Sequence, residues 1–208
     1  MRILGYGEDA LTYWALSQHM TDVIGRAPLN DGSPPEQTLF IYRPSFGRAG
    51  GDGSAQFGEF DAIVATPKAV YLIESKWTGE PIINGQVILA GRQTRRHDVF
   101  RWIREQWLAQ GPVDWGGFYT EQNRDDFGAL FNGKPLAPPG SRLASNLQYV
   151  LHQLPGHDVP TEDVLLYFRV PGGIVPQGVA EAPSFVVVPF VFESLNPEYG
   201  GRMVDMQV

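Results

Sequence analysis

Two short segments carry ionisable residues inside otherwise apolar runs. Gly58-Glu59-Phe60-Asp61-Ala62-Ile63-Val64 and Val70-Tyr71-Leu72-Ile73-Glu74-Ser75-Lys76-Trp77 read as strands from their β-branched and aromatic content, over Phe57–Ala65 and Ala69–Trp77. Thr66-Pro67-Lys68 between them reads as a hairpin turn. If Ala65 pairs with Val70, Asp61 falls directly opposite Glu74 and Glu59 opposite Lys76. Carboxylates on opposed residues lie about 4.5–5.5 Å apart at Cβ, where they repel unless one is protonated. A divalent cation removes that penalty. Mg²⁺ binds through one or two carboxylates and keeps several waters, so Asp61 and Glu74 suit a Mg²⁺ or Mn²⁺ site. Lys76, two residues on and on the same face as Glu74, can orient or deprotonate an attacking water or stabilise charge on a phosphorane. The competing reading is a solvated salt-bridge ladder of Glu59, Asp61, Glu74 and Lys76, worth at most about 1 kcal/mol per pair. A Glu-x-Lys strand with an Asp across a tight hairpin favours chemistry.

These segments resemble the PD-(D/E)XK nuclease superfamily, and within it the nuclease-related domain group. That group carries Gly-Glu-x-Asp, a hairpin, and (Ile/Val)-Glu-x-Lys, which stand here as Gly58-Glu59-Phe60-Asp61 and Ile73-Glu74-Ser75-Lys76. It also carries a glycine-preceded glutamate on the first helix, matched by Gly7-Glu8, and a glutamine on the helix after the Glu-x-Lys strand, matched by Gln93. The resemblance covers about residues 4–108 and departs from the pattern at Ser75 and in the long tail beyond residue 110. It implies an α/β, restriction-endonuclease-like core of order α-β-β-β-α-β, with a central mixed sheet flanked by helices, an insertion and extra C-terminal strands. It further implies metal-dependent phosphodiester hydrolysis, with Asp61, Glu74 and Glu8 holding Mg²⁺ or Mn²⁺, and Lys76 positioning the water. Glu8 has an independent explanation, because the helix dipole favours acids in a first turn. Gln93 is expected to orient the lysine or touch the scissile phosphate.

A helix expected over Arg92–Ala109 places Val99, Trp102, Ile103, Gln106 and Trp107 on one face and Arg92, Arg95 and Arg96 on another. Five of the chain's arginines lie between Arg92 and Arg104, a local positive surface suited to phosphate even though the formal net charge is -7. Most of the net negative charge follows Pro155. Arg92, Arg95 and Arg96 are therefore candidate nucleic-acid contacts, for DNA more than RNA, against the alternative of a solvated helix face with Asp98 and Glu105 as partners. His97 is a weaker phosphate candidate. Arg48-Ala-Gly-Gly-Asp-Gly-Ser lacks the ending of a P-loop and reads as a flexible loop. Trp107, Trp115, Phe118 and Tyr119 fit core packing better than base stacking.

At 208 residues the chain is long enough for one core without staples. The sequence reads as a single nuclease-like domain, its core at about 4–110 and 142–192 and an insertion at about 111–141. The absence of cysteine excludes disulfides, thiolate zinc sites and a cysteine nucleophile. Neither a membrane span nor a signal peptide is expected, and the chain reads as cytoplasmic. Further helices are expected at Glu8–Met20 and Arg142–Leu154, and strands at Thr38–Arg43, Gly85–Ala90, Val164–Val170 and Phe185–Phe192. The activity expected is that of a nuclease in defence or repair, as a homodimer or part of a larger complex. The rival reading is a catalytically idle nuclease-like module that binds nucleic acid or a protein. A glycosidase using Asp61 and Glu74 fits the lysine and the arginines less well.

Overall fold

Val70–Ile73 is apolar on both sides of the pleat, as in a strand covered on both faces. In the computed structural model, which describes residues 2–47, 53–77, 82–156, 159–192, 195–196 and 203–207, this segment lies in the central strand of a five-stranded sheet. The first elements are β1 (Arg2–Tyr6), α1 (Gly7–Gln18), α2 (Met20–Ile24), a 3-10 turn (Pro35–Gln37), β2 (Leu39–Tyr42) and β3 (Ser45–Phe46). Next come β4 (Gly58–Glu59), β5 (Ala62–Ala65), β6 (Val70–Trp77), β7 (Ile82–Ile83), β8 (Gln86–Val87) and α3 (Gly91–Gln110). The chain continues with α4 (Trp115–Phe118), α5 (Glu121–Leu130), α6 (Arg142–Gln153), β9 (Thr161–Arg169), β10 (Gly178–Val179), β11 (Phe185–Val191), β12 (Leu195–Asn196) and β13 (Met203–Gln207). No helix among the described residues is long and apolar enough to cross a membrane.

The fold is mixed α/β. The chain divides into two compact units, one of Met1–Tyr42, Asp61–Leu89 and Pro160–Val208, the other of Arg43–Phe60 and Ala90–Val159. The first unit holds the main sheet, ordered β11-β9-β6-β5-β2. β2, β5 and β6 are antiparallel neighbours, and β6, β9 and β11 are parallel. Alternation along β9 shows how its faces are used. Val164, Leu166 and Phe168 pack with Tyr71, Ile73 and the apolar side of α1 and α2 (Leu11, Ala15, Leu16, Val23). Leu165 and Tyr167 point the other way, onto Val87, Leu89, Val179 and Phe185. Pro189 sits on β11, an edge strand where its missing N–H breaks no inner ladder. A smaller sheet pairs β1 with β13 and β13 with β12.

The second unit is built on rings. Phe46 stacks on Phe57 and Phe100 at centroid separations of 5.0 and 5.5 Å, and Phe60 meets Phe100 edge-on at 5.6 Å. Residues 111–141 contain two helices, α4 capped by Asp114 and α5 capped by Thr120. Trp115 and Phe118 of this segment, and Trp107 on α3, are buried, so they serve packing. The helix expected at Glu8–Met20 is interrupted at His19, and the strand expected at Phe57–Ala65 is broken into β4 and β5. The glycine-rich stretch Arg48–Asp52 lies outside the described residues.

A buried carboxylate ties the first unit together. Asp31 accepts hydrogen bonds from the Ser33 N–H (2.9 Å), the Ser33 hydroxyl, the Thr66 hydroxyl (2.7 Å) and the Tyr71 hydroxyl (2.8 Å). Burial alone would raise its pKa, but these donors together hold the carboxyl below its ordinary value. The stability it contributes is therefore complete above the unfolded carboxyl pKa and is lost as pH falls through the lower folded value. Asp31→Ala is expected to lower the unfolding free energy by about 3 kcal/mol, by leaving buried hydroxyls without an acceptor. Urea unfolding of the wild type and variant at neutral and acid pH checks this: the gap between them should narrow as the pH falls.

Candidate active site

Gly7 sets where the site begins. Its φ of 67° is left-handed backbone, which glycine adopts without strain, and it turns the chain from β1 directly into α1. Glu8 therefore falls in the first turn of α1, where the helix dipole also favours it. Its Oε1 lies 3.0 Å from Lys76 Nζ on β6. Glu74 Oε1 is 3.9 Å from the same ammonium, and Glu74 is only 2% exposed. Asp61, in the bend before β5, accepts a hydrogen bond from the Ser75 N–H on Oδ2 at 2.7 Å and adds its charge to the field at Lys76. Four of the five candidate catalytic residues thus converge within the first unit.

Lys76 is 13% exposed, and burial alone would lower its pKa. Glu8 by charge and hydrogen bond, then Glu74 and Asp61 by charge, outweigh that and raise it above its ordinary value. The ammonium form is the stable one at neutral pH, which suits orientation and charge stabilisation rather than proton abstraction.

The register expectation holds for part of the hairpin. Ala65 pairs with Val70, and the ladder runs to Ala62 opposite Ile73, where it stops. Asp61 is not a ladder partner of Glu74, although it reaches the next backbone amide. Glu59 does not face Lys76. It belongs to β4, pairs with Ser45 and lies 3.4 Å from Arg43. The physical cause is Phe60: its fully buried ring belongs to the aromatic core of the second unit and takes the preceding strand with it.

The resemblance did not account for Ser75, but packing does. Its side chain takes the α1 side of β6, opposite to Glu74 and Lys76, where Ser75 Oγ lies 2.7 Å from Thr12 Oγ1 with both residues fully buried. Thr12 Oγ1 is also 2.8 Å from the Glu8 carbonyl. A carbonyl only accepts and Thr12 has one proton, so Thr12 donates to Glu8 and Ser75 donates to Thr12. This chain couples the first turn of α1 to the strand bearing Glu74 and Lys76. The sequence hint was the spacing, since Thr12 is one helical turn after Glu8.

The remaining candidates lie on α3, in the second unit. Gln93 Oε1 accepts the Ala90 N–H at 2.8 Å, closing the N-terminus of α3. Arg92 and Arg95 are exposed and Arg96 is half-buried, its guanidinium near Gly58. Arg101 bonds Asp98 at 3.4 Å, and buried Arg104 donates to the Val159 carbonyl at 3.1 Å. His97 is fully buried, with its ring 4.9 Å from that of Phe60, so it offers no accessible phosphate contact.

The donor set can be tested against a hard cation. Three carboxyl groups address one ammonium, which leaves excess formal negative charge around a nearly buried Glu74. That excess suits a divalent cation. Among the described residues no three His, Asp or Glu side chains form a group that could hold a metal. A cation held here would have one or two carboxylate ligands and keep several waters, a coordination Mg²⁺ accepts. No family model, curated protein or solved structure matches the chain.

Thr12→Val leaves the Ser75 hydroxyl buried without its partner and should lower the unfolding free energy by about 2 kcal/mol, whereas Thr12→Ser stays close to wild type. Urea denaturation of the three proteins distinguishes a working hydrogen bond from simple packing, which would predict Thr12→Ser to be the worse variant.

Proposed function

We propose that the chain is a metal-dependent phosphodiesterase of the PD-(D/E)XK kind, acting on nucleic acid. The observation that carries this is the convergence of Glu8, Asp61 and Glu74 on the Lys76 ammonium. Asp61 and Glu74 would hold Mg²⁺ or Mn²⁺, which supplies charge neutralisation at the scissile phosphate and activation of water. Lys76 orients the attacking water and offsets charge developing on the phosphoryl oxygens. Glu8 holds the ammonium in place, and the Ser75–Thr12 bond holds Glu8. Ser75 N–H fixes Asp61, so the carboxyl is aimed before any ligand arrives.

Arg92 and Arg95 on α3 provide an exposed basic surface for backbone phosphates. Their contribution would be independent of sequence and sensitive to salt. The same residues would serve the alternative reading of an idle module that binds nucleic acid without cutting it.

Incubating the purified protein with linear and circular DNA, single strands and RNA, with Mg²⁺ or Mn²⁺, tests the proposal. Cleavage is expected with metal and lost in EDTA. Glu74→Gln and Lys76→Ala should each reduce the rate by about 10³-fold while leaving the circular dichroism spectrum unchanged. Cleavage at the wild-type rate in both variants would falsify the site assignment; binding without cleavage in the wild type would assign the idle module.

A further inference from the structure

Asn-Gly occurs twice in the chain, at Asn84-Gly85 and Asn132-Gly133. In this dipeptide the backbone nitrogen of the second residue can attack the side-chain amide carbon of the first, because glycine has no side chain to obstruct the approach. Both asparagines have left-handed backbone, with φ of 52° and 57°, and their glycines follow at 79° and 73°. Both are exposed. Dipeptide and local conformation therefore do not separate the two positions.

Their surroundings do. Asn132-Gly133 closes the C-terminus of α5. The Gly133 N–H, on the nitrogen that would have to attack, donates to the Gly128 carbonyl at 2.8 Å, and the Lys134 N–H donates to the Phe131 carbonyl at 3.2 Å. Phe131 and Lys134 are buried on either side, and the Lys134 ammonium donates to the Ser54 and Gln56 carbonyls at 3.3 and 3.4 Å. Bringing Gly133 onto Asn132 would undo this helix end and disturb both buried neighbours.

Asn84-Gly85 is the two-residue turn between β7 and β8. Its ladder is only Ile82 with Val87 and Ile83 with Gln86, and β7 is the edge of its sheet. Ile83 and Gln86 beside the turn are exposed. A two-residue loop with positive φ at both positions leaves its inner N–H groups outside the ladder. Among the described residues no acceptor takes the Gly85 N–H, whereas the Gly85 carbonyl accepts from the Gln177 N–H at 2.7 Å. Opening so short an edge hairpin costs little, and the attacking nitrogen has no hydrogen bond to break.

We propose that Asn84 is a site of spontaneous deamidation selected by the fold, and that Asn132 is protected. The bond from the Gly85 nitrogen to the Asn84 side-chain carbon forms, the bond from that carbon to its amide nitrogen breaks, and the Gly85 amide proton leaves with the departing group as ammonia. Water then opens the cyclic imide at either carbonyl, giving aspartate or isoaspartate at position 84 with no change of oxidation state. Either product adds a negative charge to the turn. Isoaspartate also lengthens the backbone, which a two-residue turn cannot absorb in register. The pairing of β8 with β10 and the packing of Val87 with Leu165 and Tyr167 adjoin that turn.

The test needs no substrate and does not depend on the phosphodiesterase reading. The full chain is held at mildly alkaline pH, native or in urea, and peptides spanning each site are followed by mass spectrometry, with fragmentation that distinguishes isoaspartate. In the native chain Asn84 is expected to react at least about tenfold faster than Asn132, the factor a hydrogen bond on the attacking nitrogen supplies. In urea the two rates should converge. Asn84→Gln should remove the fast phase and leave the slow reaction at Asn132 unchanged. Equal native rates, or faster reaction at Asn132, overturn the assignment. A tenfold difference that persists in urea would trace to flanking sequence and overturn selection by the fold.

Discussion

A carboxyl group buried on a central strand has to be compensated, and in this chain Lys76 supplies part of that compensation. Glu74 interrupts an apolar run on β6 and is almost completely removed from water. An isolated ionised carboxylate there would cost several kcal/mol, well beyond the worth of a surface ion pair. Lys76 lies on the same side of the same strand and reaches both Glu74 and Glu8. Much of the local architecture follows from holding that ammonium. Gly7 turns β1 into α1 so that Glu8 enters its first turn, and the Thr12–Ser75 bond fixes α1 to β6. Asp61 is steadied by the Ser75 amide on the side of β6 facing β5.

The parts of this arrangement set by local sequence were readable in advance. Thr66-Pro67-Lys68 fixes the turn, so the pairing of Ala65 with Val70 and the run of the ladder to Ile73 followed from it. The apolar run of β9 and the helical spacing of Leu147, Val150 and Leu151 on α6 likewise gave the right elements. What failed depended on distant partners. The departure of Glu59 from the hairpin reflects where Phe60 is buried, among rings from Phe46 and Phe100. The pairing of β1 with β13 joins the two ends of the chain, and nothing in either segment specifies the other. Asp31 finds Thr66 and Tyr71 across 35 and 40 residues. Charged residues misled in the opposite sense: Arg104 is spaced as part of a basic helix but is buried on a carbonyl.

The charge distribution acquires a physical meaning at the scale of the units. The first unit gathers carboxyl groups around one ammonium, and the second carries Arg92 and Arg95 on an exposed helix face. A uniformly basic protein would bind nucleic acid everywhere on its surface. An acidic net charge does not exclude a local basic surface.

The proposed function requires the carboxyl cluster to be an open cation site rather than a completed salt-bridge network. Mn²⁺ uptake followed by electron paramagnetic resonance tests it without reference to any substrate. Saturable binding is expected for the wild type, abolished in the Asp61→Asn, Glu74→Gln double variant with its fold retained. No uptake by the wild type, or equal uptake by both proteins, would contradict it.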